Sequence, residues 1–199
     1  MPLQNRVTPA GDIIATPARG TFMGNRGILH DETRTLVRTT RNAMWLICRL
    51  RFKDRRRVPM SPGTYTELFF LDEAVALAAG HRPCGECRRE HHRAFIDAVN
   101  ADGGEAIRDT RELDRRLKRS RAAPDVTTAV ATLPDGVFIR LGDNDFRLLW
   151  DGALHRWSPH GYDDPMAVSE VGEAPVMTPS VSVAALRHGY PVTVHPTLR

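Results

Sequence analysis

Residues 78–92 read AAGHRPCGECRREHH, and this stretch decides how the chain is read. Cys84 and Cys87 stand two residues apart, with His81, His91 and His92 close by. A Cys-x-x-Cys turn brings two sulfurs to one ion while nearby backbone amides hydrogen-bond to them, and zinc takes four such ligands in a tetrahedron. Pro83 fits the first turn of a helix carrying Cys84, Cys87, His91, Phe95, Ala98 and Val99 on or near one face. Both thiols are then expected in its opening turn, where the positive end of the helix dipole favours thiolate. A thioredoxin-like redox pair would want a preceding βαβ pattern, which is missing here.

Working outward, Asp72 reads as the cap of a helix over EAVALAA, with Gly80 suited to its left-handed stop. TYTELFFL before it (Thr64–Leu71) reads as a strand. TLVRTTR (Thr35–Arg41) and MWLICRLRFK (Met44–Lys53) read as the two arms of a hairpin. Side chains alternate along a strand, so Leu46, Cys48, Leu50 and Phe52 fall on one face and Arg49, Arg51, Lys53 and Arg55 on the other. Cys48 is thereby aimed with the core residues and is the candidate third sulfur, giving Cys48, Cys84 and Cys87 as expected zinc ligands. The fourth ligand stays open between His30, His81, His91 and water, and a site completed by water would be catalytic rather than structural.

The run EAVALAAGHRPCGECR (Glu73–Arg88) resembles the end of the zinc-binding N-terminal domain of the Ada methyl-phosphotriester repair proteins. The likeness covers about residues 35–89. It implies a strand hairpin and a helix enclosing a cysteine-held zinc, with Cys84 and Cys87 matching the last two ligands. That family's first pair is Cys-x-x-x-Cys, its first member being the alkyl acceptor. Here Cys48 stands alone, with Phe52 four residues on, so a closed structural role for Cys48 is expected. The whole chain also resembles a group of bacterial proteins of this length, through RVTPAGDI, GNRGILHD and TELFFLDEA, a likeness that implies no mechanism.

The remaining sequence sets the frame. At 199 residues and 41% hydrophobic content the chain can bury a core. Three cysteines are too few for a disulfide framework, and no apolar run is long enough to span a bilayer, so a cytoplasmic protein without membrane contact is expected. The formal net charge is +4, and of the 28 basic residues only Lys53 and Lys118 are lysines. Arginine suits bidentate phosphate and guanine contacts, but a GC-rich genome also enriches it, so its distribution is the informative part. Residues 34–57 hold eight arginines and Lys53 against the single acid Asp54, whereas residues 163–173 carry four acids and no base. Arg49, Arg51, Lys53, Arg55, Arg56, Arg57, Arg88 and Arg89 are therefore the candidate nucleic-acid contacts, DNA being the expected partner.

EAIRDTRELDRRLKRSRAA has only a thin apolar stripe and reads as a solvated helical connector, ended by Pro124. Beyond it, short strands with DG turns and a capped helix in TPSVSVAALRHG form a small β-rich module. The fold class is α+β: a zinc-stapled hairpin and helix unit over residues 1–122, connector included, and a module over residues 123–199. LHRWSPHGYDDP gathers His155, Trp157, His160 and Tyr162, readable as an acid/base site or nucleobase platform, with a hydrophobic minicore favoured for Trp157. The function expected is a zinc-dependent nucleic-acid-binding protein in DNA repair or its regulation. The alternatives are an enzyme, acting as an alkyl acceptor at Cys48 or a hydrolase through the C-terminal histidines, and a module for an acidic protein partner.

Overall fold

A computed structural model describes residues 1–53 and 58–198, and the fold is α+β. Among the described residues, six short strands form the first sheet: β1 (Gln4–Val7), β2 (Ile13–Ala15), β3 (Phe22–Asn25), β4 (Leu46–Cys48), β5 (Leu68–Phe70) and β6 (Arg82–Pro83). Their spatial order is β2-β1-β5-β3-β4-β6, with β1/β5 and β4/β6 parallel and the other pairs antiparallel. The second sheet is wholly antiparallel: β7 (Val126–Ala129), β8 (Phe138–Gly142), β9 (Asp145–Trp150), β10 (Ala153–Ser158), β11 (Gly161–Ala167) and β12 (Glu173–Val176), in the order β11-β10-β9-β8-β12-β7. Asp151 and Gly152, both at positive φ, make the tight turn between β9 and β10 that the DG pair announces.

Among the described residues four α-helices accompany these sheets: α1 (Glu73–Ala78), α2 (Arg89–Ala101), α3 (Thr110–Ala122) and α4 (Ser180–Arg187). The Asp72 carboxylate caps α1 by accepting the Val75 N–H at 2.9 Å, and Gly80 leaves it at φ +81°, both as read from the sequence. Every residue of α1 is buried. Leu77, Phe95, Leu113 and Leu117 share one apolar cluster with Phe138, Leu148, Leu186 and Tyr190, so the segments on either side of residues 122–126 bury a common core. Alternation along β8 and β9 sends Ile139 and Leu149 the other way, into a second cluster with Val130, Leu154 and Ala174.

Three expectations are corrected here. The strand bearing Cys48 does not pair with Thr35–Arg41: it pairs with β3 and β6, and residues 35–41 contribute a single bridge, Leu36 to His30. Only Leu36 of that arm is even partly buried, so a strand there would have had nothing to bury. The strand also ends at Cys48, leaving Leu50 exposed, because its partner β6 is two residues long and ends in a proline. Finally, the connector packs into the core. Leu113 and Leu117 of α3 are buried, and Asp114 receives a two-pronged ion pair from the buried Arg82, Nε to Oδ1 at 2.8 Å and Nη2 to Oδ2 at 2.9 Å.

The chain's end is tied to the start of α1 by buried polar groups. Tyr162 Oη–H and the His195 N–H donate to Asp72 Oδ2 at 2.8 and 2.9 Å. Glu73 accepts from Tyr190 Oη–H at 2.5 Å, Arg88 Nη1 at 2.6 Å and the Thr193 N–H at 3.1 Å. Burial lifts the Asp72 carboxyl from 3.8 to about 6, against the pull of its donors, with nearby Glu73 adding a little. Its folded pKa is the higher one, so its contribution to stability is complete below about pH 4 and is lost as pH rises through 6. Asp72→Asn keeps the cap acceptor and cannot ionise. Urea unfolding at pH 4, 5, 6 and 7 should show the wild-type stability falling relative to the variant by about 2 kcal/mol across that range.

Candidate metal centre

Two rungs of parallel pairing create the site. Leu46 lies opposite Arg82 and Ile47 opposite Pro83, with the Arg82 N–H donating to the Trp45 carbonyl at 3.0 Å and the Cys84 N–H to the Ile47 carbonyl at 2.9 Å. The next residue on each strand is a cysteine, so the ladder delivers Cys48 and Cys84 side by side. The chain then turns through Gly85 and Glu86 and returns Cys87 to the same spot. The Arg88 N–H bonds the Cys84 carbonyl at 3.0 Å, and α2 begins at Arg89. Pro83 thus closes a strand and the thiols sit in the turn ahead of α2, a few residues from the helical start expected.

The three sulfurs lie within 4.8 Å of one another. About 3.8 Å separates sulfurs on a tetrahedral zinc with bonds of about 2.3 Å. Each cysteine is 8% exposed, and Met23, Leu46 and Phe52 pack around the group as a cluster of its own. The Glu86 N–H approaches Cys84 Sγ at 3.4 Å, the amide-to-sulfur contact that steadies a thiolate. Donation from Cys48, and then from Cys87, holds the Cys84 thiol far below its usual range. The same contact with Cys84, then Cys87 and burial, drives the Cys48 thiol far above it. A soft cation bound by thiolates takes the place of the protons the sulfurs would otherwise share. Cys48, Cys84 and Cys87 are thus placed so that they could hold one metal ion.

No imidazole or carboxylate of the described residues joins this group. His30 is engaged by Thr66 Oγ1 at 2.6 Å and the Ser61 carbonyl at 3.2 Å. His81, fully buried between Trp45 and Phe70, accepts from Arg26 Nε at 3.2 Å, and burial followed by the charges of Arg26 and Arg121 keeps it neutral. His91 faces the ring of Tyr190. The histidine that does serve the site is His92, which carried no role in the sequence reading. Its Nδ1–H donates to the Pro83 carbonyl at 3.1 Å, which leaves Nε2 to accept from Thr110 Oγ1 at 3.2 Å. The ring braces the cysteine turn against Thr110 at the start of α3, the next helix, a pairing with no local signal in the sequence.

The basic candidates divide. Arg49, Arg51, Lys53 and Arg89 are exposed, Lys53 within 3.4 Å of Glu86. Arg88 does not belong with them: it is 3% exposed, paired to Glu73 and stacked over Phe22, because the turn that closes Cys87 points it inward. Arg55, Arg56 and Arg57 lie outside the described residues. In the second sheet, His155 bonds back to the Trp150 carbonyl, His160 stands exposed in a turn, and Tyr162 is buried on Asp72. Trp157 packs against Phe146 at the edge of the main apolar cluster rather than in a minicore of its own. None of the described helices is long and apolar enough to cross a membrane.

Compared with models of protein families, with curated proteins and with solved structures, the chain matches none.

Purified protein should carry one zinc per chain by elemental analysis, and Cys84→Ser should hold it much more weakly. His92→Ala, which removes only the brace, should retain zinc with an affinity about 10- to 100-fold lower in competition with a chromophoric chelator. Affinity should fall as pH falls, because thiol protons compete for the sulfurs.

Proposed function

We propose that this chain is a zinc-stapled nucleic-acid-binding protein in which the metal is structural and the basic loop after β4 meets phosphates. The observation that carries the reading is the continuity of the two features: Cys48 is a member of the sulfur group, and the exposed Arg49, Arg51 and Lys53 follow it directly. A metal that fixes Cys48 also fixes where those cations start. Arg89, at the head of α2 and two residues beyond Cys87, extends the same surface from the other ligand segment. Phosphate contact through Arg and Lys is the sequence-independent part of nucleic-acid affinity. The Ada resemblance over residues 35–89 supports DNA as the nucleic acid and repair, or its regulation, as the setting.

A second reading, alkyl acceptance at Cys48, is favoured by one feature: the described residues supply three ligands rather than four. It is opposed by another, since Cys48 lies beneath Met23, Leu46 and Phe52 and is 8% exposed. Mass spectrometry after incubation with a methyl-phosphotriester oligonucleotide separates the two, a structural Cys48 gaining no methyl group.

With about four phosphate contacts, affinity for duplex DNA should fall about 100-fold between 50 and 200 mM salt. Replacing Arg49, Arg51 and Lys53 by alanine should reduce the slope of log affinity against log salt by about three. Fluorescence anisotropy over that range measures both, and a salt-independent signal would count against the proposal.

A further inference from the structure

Between the β1–β2 turn, the loop at Leu36–Thr39, the end of α3 and helix α4 lies an open cleft of about 1160 Å³. Much of its wall is apolar, including Ile13, Leu133, Val176 and Val183. That composition is one a small-molecule site shows, its specificity coming from a few placed polar groups, and the volume lies just above the usual range of about 300–1,000 Å³. Here those groups are two arginines around one tryptophan. The guanidinium carbon of Arg26 lies 3.9 Å from the Trp45 ring centre and that of Arg121 lies 4.2 Å from it.

Buried Arg26 and half-buried Arg121 differ from the other sheltered arginines. Arg82 has Asp114 at 2.8 Å and Arg88 has Glu73 at 2.6 Å. Arg26 and Arg121 have no carboxylate at ion-pairing distance among the described residues. Arg26 is 2% exposed; its Nε donates to the neutral His81, and its Nη2 is buried without a hydrogen-bond partner. Arg121 donates to the carbonyls of Gly80 at 2.7 Å and Ala43 at 3.0 Å. Stacking on Trp45 attracts both cations without neutralising either. Burial, then the neighbouring Arg121, lowers Arg26 to about 9, and burial lowers Arg121 to about 10. A buried cation beside a second, half-buried one is unfavourable unless an anion joins them.

The surroundings are shaped to keep that arrangement. A Cβ at Gly80 would stand 2.2 Å from Cδ of Arg121, so glycine is needed there for the passage of the side chain as well as for φ +81°. The β1–β2 turn passes Arg26 at Gly11, where an added Cβ would stand 3.7 Å from Nη2. The nearest acid on that turn, Asp12, acts on Arg26 only at a distance, and Arg140 on the cleft wall is occupied by Asp125 at 2.6 Å.

We propose that the cleft binds a small organic anion, a carboxylate or phosphate on an apolar body, with Arg26 and Arg121 holding the oxyanion and Ile13, Leu133, Val176 and Val183 the body. The site is separate from the sulfur cluster and from the basic loop, and it does not depend on either reading of function above. Trp45 reports on it directly as a fluorophore.

Isothermal titration of the full chain at fixed ionic strength, with octanoate, phenyl phosphate and inorganic phosphate, tests the proposal. At least one of the two organic anions should bind, and more tightly than inorganic phosphate, which lacks the body; which of the two binds better identifies the head group. Arg26→Met and Arg121→Gln should each weaken that binding at least tenfold. Arg26→Met should also unfold, without ligand, at a temperature no lower than wild type, because a side chain serving only the fold would be missed while an unpaired buried charge would not. Absence of heat from both organic anions overturns the proposal, as does an Arg121→Gln protein that binds them like wild type. Should Arg26→Met fail to fold, the Arg121→Gln titration decides alone.

Discussion

The short parallel pairing of β4 with β6 is the constraint on which the two sites depend. Its two rungs set Cys48 beside Cys84 at one end, and at the other the Arg82 N–H is bonded to the Trp45 carbonyl, bringing His81 against the Trp45 ring. So brief a ladder, ending at a proline, has little strength of its own. It is held from outside by the paired Arg82 and Asp114, which bind it to α3, and by His92, which binds the cysteine turn to the same helix. A metal at the sulfurs would close the loop between residues 48 and 84 and act as a crosslink does, chiefly by restricting the unfolded chain.

The second organising feature is the polar anchor at the head of α1. A six-residue helix buried on every side cannot be stabilised by its own hydrogen bonds, and its first turn would leave N–H groups unsatisfied in the core. Asp72 meets that need by accepting the Val75 N–H, the Glu73 N–H goes to the Thr193 carbonyl, and the two carboxylates hold residues 190–195 and Tyr162. Arg88, directly after the second thiol of the turn, is the countercharge of Glu73. The cluster of sulfurs, the helix head and the chain's end are therefore mechanically joined through one ion pair.

Local chemistry was legible in the sequence and long-range pairing was not. The Asp72 cap, the Gly80 stop, the Asp151-Gly152 turn and the grouping of Cys84 with Cys87 all rest on residues within a few positions of each other, and each is present. Cys48 was also found, although for an incomplete reason. Alternation aimed it inward, but a hairpin with residues 35–41 was the supposed frame, and the true frame is a parallel partner more than thirty residues away. The inward turn of Arg88 was hidden because its partner, Glu73, lies at the head of a different helix. Leu113 and Leu117 seemed too thin a stripe for a packed helix; the buried ion pair of Asp114 completes that face with a residue type that reads as solvated. The Arg26–Trp45–Arg121 arrangement joins three separate segments and leaves no periodic trace.

The central claim is that sulfurs from the strand and from the turn meet at one ion. Cobalt substitution tests it most directly, since thiolate-to-metal charge-transfer absorption scales with the number of sulfurs bound and the visible bands report tetrahedral geometry. The account predicts the intensity of three thiolates in the wild type and of two in Cys48→Ser, with the bands still tetrahedral. An unchanged spectrum in Cys48→Ser, or no tetrahedral cobalt in the wild type, would contradict it.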